Sequence, residues 1–138
     1  MYSKAAWKFA EERLLLVSRT FALNINILTG KLHKSILLAY LYLRIADTIE
    51  DDPIMKASEK EVVLAKFAEI FKTNELACEK IQAFIDSLPE SWHKSEDPNM
   101  DLCVHSDVVV PLLHELPEAY VTPVRDVVVE MCGGMAKF

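Results

Sequence analysis

Residues 32–53 read LHKSILLAYLYLRIADTIEDDP, an apolar run that ends in a group of acids and stops at Pro53. Apolar residues cover most of its length, and a proline disfavours helical backbone in the residue before it. We therefore predict one long helix from Leu32 to Asp52. Four polar residues recur on this helix at spacings of four, three and four, which places them in one stripe along a single face. The stripe consists of Tyr40, Arg44, Asp47 and Asp51.

The carboxyl end of this helix is acidic at positions 47, 50, 51 and 52, where the helix dipole disfavours carboxylates. Asp47 and Asp51 are predicted to lie about 5.5 Å apart and to repel each other by roughly 3 kcal/mol. Arg44 offsets part of this charge, and a Mg²⁺ ion with water and phosphate ligands would offset the rest. The alternative is an ordinary solvated run of charges. Because the other helix faces are apolar, we expect the stripe to face the protein interior.

Length and composition predict a single globular unit, residues 1–138. Hydrophobic residues make up 51% of the chain and charged residues 26%, which is typical of a globular domain. The longest apolar run, at positions 36–43, is far shorter than the roughly 20 residues of a membrane-spanning helix, so we expect a cytoplasmic protein. A net charge of −6 argues against nucleic acid as a partner. The three cysteines and four histidines lack metal-ligand spacing, and we expect the cysteines to be reduced and packed.

The rest of the chain is also predicted to be helical, since only three glycines occur. Apolar residues at helical spacing predict a first helix at Ser3–Val17. Ser58 and Glu61 form the pattern of a capping box that opens a third helix. Two prolines and many polar residues predict a loop with about one helical turn at 89–103. Further helices are expected at 74–88, at 105–115 and from 117 or 118 to the end. An interruption of the helical pattern is expected at 29–30, before the long helix.

A second polar group, Ser18, Arg19 and Thr20 followed by Phe21, lies where the first helix is expected to end. Hydroxyl groups, a guanidinium and free backbone N–H groups at a helix boundary can bind phosphate oxygens. The alternative is a helix cap followed by a surface arginine.

The two groups together resemble one family. Residues 17–53, VSRTFALNINILTGKLHKSILLAYLYLRIADTIEDDP, resemble the squalene and phytoene synthase family over nearly their whole length. They join an SRxF box to YxxxR and DxxED blocks about twenty residues later, and the DTIEDD form is more similar to squalene synthases. At 131–138, MCGGMAKF is similar to the family's GMAxF segment.

The resemblance implies an all-α isoprenoid synthase fold, a helical bundle around a deep apolar cavity that two aspartate-rich motifs face. The family's chains are about twice this long and their second motif follows the GMAxF segment, so residues 1–138 are expected to form the N-terminal half of such a domain. By themselves they are expected to bind substrate weakly and without turnover. Phe21, Leu41 and Ile45 are candidates to line the cavity or to belong to the core. The Gly133–Gly134 pair is expected to allow close packing.

The resemblance also implies roles for individual residues. Asp47, Glu50 and Asp51 would hold Mg²⁺ and, through it, the diphosphate of a farnesyl donor. Tyr40 and Arg44 are the catalytic candidates. The residues expected to contact the substrate are Ser18, Arg19, Thr20, Phe21, Tyr40 and Arg44.

The implied reaction is the head-to-head condensation of two farnesyl diphosphates to presqualene diphosphate, which is then converted to squalene with NADPH. The resemblance also implies a peripheral association with a membrane, through which the product is released. Three alternatives stay open. They are a phytoene-type forty-carbon condensation, a helical module without catalysis that self-associates, and a head-to-tail synthase or terpene cyclase. The last class fits less well because it lacks the SRxF box and usually carries a DDxxD motif.

Overall fold

The computed structural model of the protein describes residues 3–18, 30–72 and 78–136. Every regular element in these ranges is a helix, and they contain no strand, which confirms the predicted all-α fold. The elements in chain order are α1 (Ser3–Val17), α2 (Gly30–Asp51), α3 (Ala57–Phe71), α4 (Cys78–Ser87), α5 (Glu90–His93), α6 (Pro98–Val104), α7 (Ser106–Val109), a 3₁₀ helix (Pro111–Glu115) and α8 (Glu118–Ala136).

Helix α2 runs through the core, because its apolar residues recur at the spacing that fills one helix face. Its buried residues are Ser35, Leu37, Leu38, Leu41, Tyr42, Ile45, Ala46 and Ile49. The hydroxyl of Tyr42 donates to the carbonyl oxygens of Val109, at 2.8 Å, and Val110, at 3.3 Å. A buried hydroxyl without a partner is costly, so these bonds help to fix α2 against the end of α7.

The other helices pack around α2 and α3. Helix α8 contacts both of them, α1 and α6 contact α2, and α4 contacts α3. The ring of Phe67 lies 5.1 Å from that of Phe71 and 4.8 Å from that of Phe84, measured between centroids. All three phenylalanines are buried, and such aromatic pairs add to the energy of area burial. This cluster joins α3 to α4.

A tight turn ends α2 at Asp51, one residue before the predicted end. The Oδ2 atom of Asp52 accepts hydrogen bonds from the backbone N–H groups of Ile54, at 3.2 Å, and Met55, at 2.7 Å. This explains why Asp52 is only 7% exposed although it is charged. Asp52 therefore shapes the turn that follows the acidic helix end.

The predicted capping box at Ser58 and Glu61 is wrong. Helix α3 begins at Ala57, with Lys56 at its N-cap, and no side chain makes the cap hydrogen bond. A capping residue must lie just outside the helix with non-helical backbone, whereas Ser58 already lies inside the first turn.

Residues 89–103 are more helical than predicted, since they contain α5 and most of α6. The expected helix at 105–115 is divided into α7 and a 3₁₀ helix that begins at Pro111. Proline lacks the N–H group that would continue the α-helical hydrogen bonds, which accounts for the division.

Helix α8 begins at Glu118, directly after Pro117, as predicted. Gly133 and Gly134 are exposed and a Cβ atom there would meet nothing within 4 Å, so no helix of the described ranges packs closely against this pair. Close approach of a substrate chain stays a prediction. Cys103 and Cys132 are buried and unpaired, whereas Cys78 is exposed rather than packed. Among the helices of the described ranges, none has the length and apolar character needed to cross a bilayer.

Candidate functional site

An open groove of about 250 Å³ lies where the carboxyl end of α2 meets the first turn of α6. It contains three of the four stripe residues, together with polar residues from the turn after α2 and from α6. Among the described residues, its lining consists of Arg44, Asp47, Thr48, Asp51, Asp52, Pro53, Asp97, Asn99 and Met100.

The two aspartates of the stripe lie at the edge of this groove rather than inside the protein. Asp47 is half-buried and Asp51 is exposed, so the expectation that the stripe faces the interior is wrong. Leu41 and Ile45 take the buried face of α2 instead, and both are fully buried core residues, not the lining of a cavity. The aspartates are thus accessible to a ligand from solvent.

The charges in the groove influence one another. Burial raises the pKa of the Asp47 carboxyl above its usual range, the negative charge of Asp51 adds to the rise, and the positive charge of Arg44 opposes it. The two carboxylates are therefore close enough to repel each other, and the guanidinium is close enough to attract Asp47. A cation bound between the carboxylates would relieve the repulsion.

Arg44 is held by a residue from another helix. Its Nε–H group donates to Oδ1 of Asn99 at 2.9 Å, and Asn99 lies in the first turn of α6. On its own helix, the carbonyl oxygen of Arg44 accepts a hydrogen bond from the hydroxyl of Thr48 at 2.7 Å. In the part of the chain that the structure describes, no carboxylate lies within 4.0 Å of the guanidinium nitrogens.

The sequence pattern does not predict the contribution of α6, because the prolines and polar residues at 89–103 indicate a loop with only about one helical turn. Asp97 caps this helix, since its Oδ1 atom accepts from the backbone N–H groups of Asn99, at 2.8 Å, and Met100, at 3.3 Å. An aspartate followed by a proline is a recognised start signal for a helix, with Pro98 at the first helical position. That signal was sufficient to predict α6, although not its contact with Arg44.

The remaining predicted site residues lie elsewhere. Tyr40 is half-buried one turn before Arg44 and does not line the groove, and neither does the exposed Glu50. The backbone N–H of Ser18 donates to the carbonyl of Leu14 at 2.8 Å, next to the end of α1. Arg19, Thr20 and Phe21 lie outside the described residues.

The groove fits a Mg²⁺ ion that takes only part of its ligands from the protein. Mg²⁺ is usually held by one or two carboxylates, with waters and substrate phosphates completing its six ligands, and Asp47 and Asp51 supply such a pair. Within residues 3–18, 30–72 and 78–136, no group of three or more His, Cys, Asp or Glu side chains has the arrangement of a complete metal site. The pair therefore fits a metal that arrives with a phosphate-bearing substrate.

Comparison with known proteins gives the family. The profile of the squalene/phytoene synthase family matches residues 15–138. The chain belongs to this family. The probable squalene synthase of Neurospora crassa is 32% identical over 125 residues, which cover 91% of this chain and 24% of that protein. Squalene synthase 1 of Arabidopsis thaliana is 30% identical over 138 residues, which cover 96% of this chain and 29% of that protein.

The chain thus spans about a quarter of the length of these squalene synthases. The squalene/phytoene synthase match includes all of α2 and the whole groove at its carboxyl end. The resemblance that the SRxF, YxxxR and DxxED blocks suggested is confirmed at the level of the family.

Proposed function

We propose that this chain provides a diphosphate-binding face of a Mg²⁺-dependent head-to-head prenyl synthase, of the type that converts farnesyl diphosphate to presqualene diphosphate and squalene. One observation carries the proposal. In a member of the squalene/phytoene synthase family, Arg44, Asp47 and Asp51 line one open groove, with the two carboxylates close enough to repel each other.

The residues of the groove divide the binding of a diphosphate between them. Asp47 and Asp51 hold Mg²⁺, and Arg44 donates hydrogen bonds to diphosphate oxygens, for which a guanidinium is well suited. When bound, Mg²⁺ supplies positive charge to the diphosphate as the allylic carbon–oxygen bond breaks. Arg44 supplies fixed positive charge to the same leaving group, so this residue stabilises charge that grows during bond cleavage.

Other parts of the proposal follow from the family pattern. Ser18, Arg19, Thr20 and Tyr40 add hydrogen-bond donors to the diphosphate, and Glu50 belongs to the same acidic block. NADPH is the reductant if squalene is the final product. A phytoene-type condensation of geranylgeranyl diphosphate is the second candidate, since the matched family includes both types of enzyme.

Product analysis tests the proposed reaction. The complete natural gene product that contains residues 1–138 is incubated with Mg²⁺, NADPH and either farnesyl or geranylgeranyl diphosphate. We expect a thirty-carbon hydrocarbon from farnesyl diphosphate that requires NADPH. A forty-carbon product from geranylgeranyl diphosphate would support the second candidate. Release of diphosphate without joining of two prenyl chains would contradict both.

Exposed apolar side chains support self-association of the 138-residue chain. Val127 and Met131 are 42% and 44% exposed and lie one turn apart on α8, beside an apolar groove that Ile36 and Ala39 also line. Large apolar patches are rare on monomers, so we expect a second copy to cover this face. Light scattering at micromolar concentration should give at least twice the monomer mass. Val127→Asp should restore the monomer, and a monomeric wild type would contradict the expectation.

A further inference from the structure

We propose that Asn99 is a positioning residue, which holds the guanidinium of Arg44 in the orientation that receives a diphosphate. The inference rests on the proposed function, because it requires Arg44 to contact a diphosphate. Asn99 and Arg44 are 55 positions apart in the sequence, yet both line the groove at the end of α2. The contact between them is therefore a product of the packing of α6 against α2.

The donor and the acceptor of the hydrogen bond between these side chains are fixed by their chemistry. The Nε–H group of arginine can only donate, so Asn99 presents its Oδ1 atom, at 2.9 Å. A guanidinium has five N–H donors, and this bond uses one of them. The four donors on the terminal nitrogens are left for a second partner. In the described residues the structure records no hydrogen bond or ion pair from these nitrogens.

Asn99 is itself held in place before any ligand binds. The carboxylate of Asp97 accepts the backbone N–H of Asn99 at 2.8 Å, and Pro98 fixes the backbone at the first helical position. The anchor of Arg44 is therefore part of a capped helical turn. A side chain on such a turn is a more precise support than one on a long loop.

This arrangement reduces the entropy that Arg44 loses on binding. A free arginine side chain samples many rotamers, and immobilising it at the moment of binding weakens affinity. Since Asn99 removes part of that freedom in advance, loss of its amide should weaken diphosphate binding about 3- to 10-fold.

A double-mutant cycle tests the inference on the 138-residue chain, with inorganic pyrophosphate and Mg²⁺ as the probe and calorimetry as the readout. The variants are Arg44→Ala, Asn99→Ala and the double variant. If Asn99 acts through Arg44, Asn99→Ala weakens binding in the wild-type background and has no further effect once Arg44 is removed. Losses that multiply in the double variant would overturn the inference, because two independent roles are then measured.

Two further variants separate positioning from simple stability. Asn99→Asp keeps an acceptor for Arg44 but adds a negative charge, so its melting temperature should hold while pyrophosphate binding still weakens. A melting temperature that falls along with the affinity would mean that residue 99 supports the fold rather than the orientation of Arg44, and would contradict the inference. Gln82→Ala is the matched control, because Gln82 is an exposed amide that donates to Asp86 at 2.8 Å and does not line the groove. The pyrophosphate affinity of this variant should not change.

The two proposals fail in distinguishable ways. If the wild-type chain shows no Mg²⁺-dependent binding of pyrophosphate, the proposed function fails and the role of Asn99 fails with it. If the wild type binds and Asn99→Ala binds equally well, only the role of Asn99 is wrong.

Discussion

Asp47→Asn and Asp51→Asn should each weaken Mg²⁺-dependent pyrophosphate binding by the 138-residue chain at least about tenfold, which corresponds to about 1.4 kcal/mol. Of the four aspartates that line the groove, Asp52 and Asp97 accept backbone N–H groups, and each change removes one of the other two. An amide lacks the charge that Mg²⁺ needs from its ligands. In the complete enzyme, the same variants should lose most of their turnover.

The stability of these variants should hold or rise, and the pH dependence gives a sharper test. Burial and the charge of Asp51 raise the pKa of Asp47 in the folded protein. The stability that this group contributes is therefore present at low pH and is lost as the pH rises through the pKa of Asp47 in the folded protein. At neutral pH the charged Asp47 therefore costs stability, and Asp47→Asn removes that cost. The advantage of Asp47→Asn over wild type should disappear below the ordinary pKa of 3.8.

Asp126→Asn is the matched control, because Asp126 is an exposed aspartate on α8 and its replacement changes the net charge by the same amount. Its binding and its melting temperature should stay close to those of wild type. If Asp47→Asn or Asp51→Asn melts several degrees lower and still binds pyrophosphate like wild type, the two carboxylates are structural and the metal assignment is wrong.

Phe67→Ala should lower the free energy of unfolding by about 3–5 kcal/mol, which is a large part of the 5–15 kcal/mol of a typical domain. Phe67 is fully buried and contacts the rings of Phe71 and Phe84, so its loss leaves a cavity and removes two aromatic pairs. Urea denaturation followed by circular dichroism measures the effect.

The exposed residue Val62 on the same helix gives the comparison. Its side chain is 54% exposed, so Val62→Ala should change the free energy of unfolding by less than about 0.5 kcal/mol. A loss below about 1 kcal/mol for Phe67→Ala would contradict the packing of α3 against α4 described above.

The two long N-terminal helices were predictable because the signals that define them are local. Apolar spacing gives α1 and α2, and Pro53 stops the second of them within one residue of its observed end. The same kind of signal, Asp97 followed by Pro98, was present for α6, but the polar character of the stretch favoured a loop. Where several prolines divide short helices, composition alone does not separate a loop from a capped turn.

The site was predictable in part. The spacing of Arg44, Asp47 and Asp51 on one helix depends only on helical geometry, and these three residues do share a groove. Their burial depends on which face of α2 the neighbouring helices cover, and that is decided by tertiary packing. The hydrogen bond between Arg44 and Asn99 joins distant parts of the chain, so no local sequence pattern predicts it.

Binding of farnesyl diphosphate to the 138-residue chain, measured by calorimetry with and without Mg²⁺, tests the central claim most directly. Four aspartates line the groove, but Asp52 and Asp97 already accept backbone N–H groups, which leaves Asp47, Asp51 and Arg44 for a ligand. We therefore expect weak binding, no tighter than roughly the high-micromolar range, or about −5 to −6 kcal/mol. The heat should appear only when Mg²⁺ is present, and Asp47→Asn should abolish it. Binding of equal strength without Mg²⁺, or no binding under either condition, would contradict the assignment of this groove as a diphosphate site.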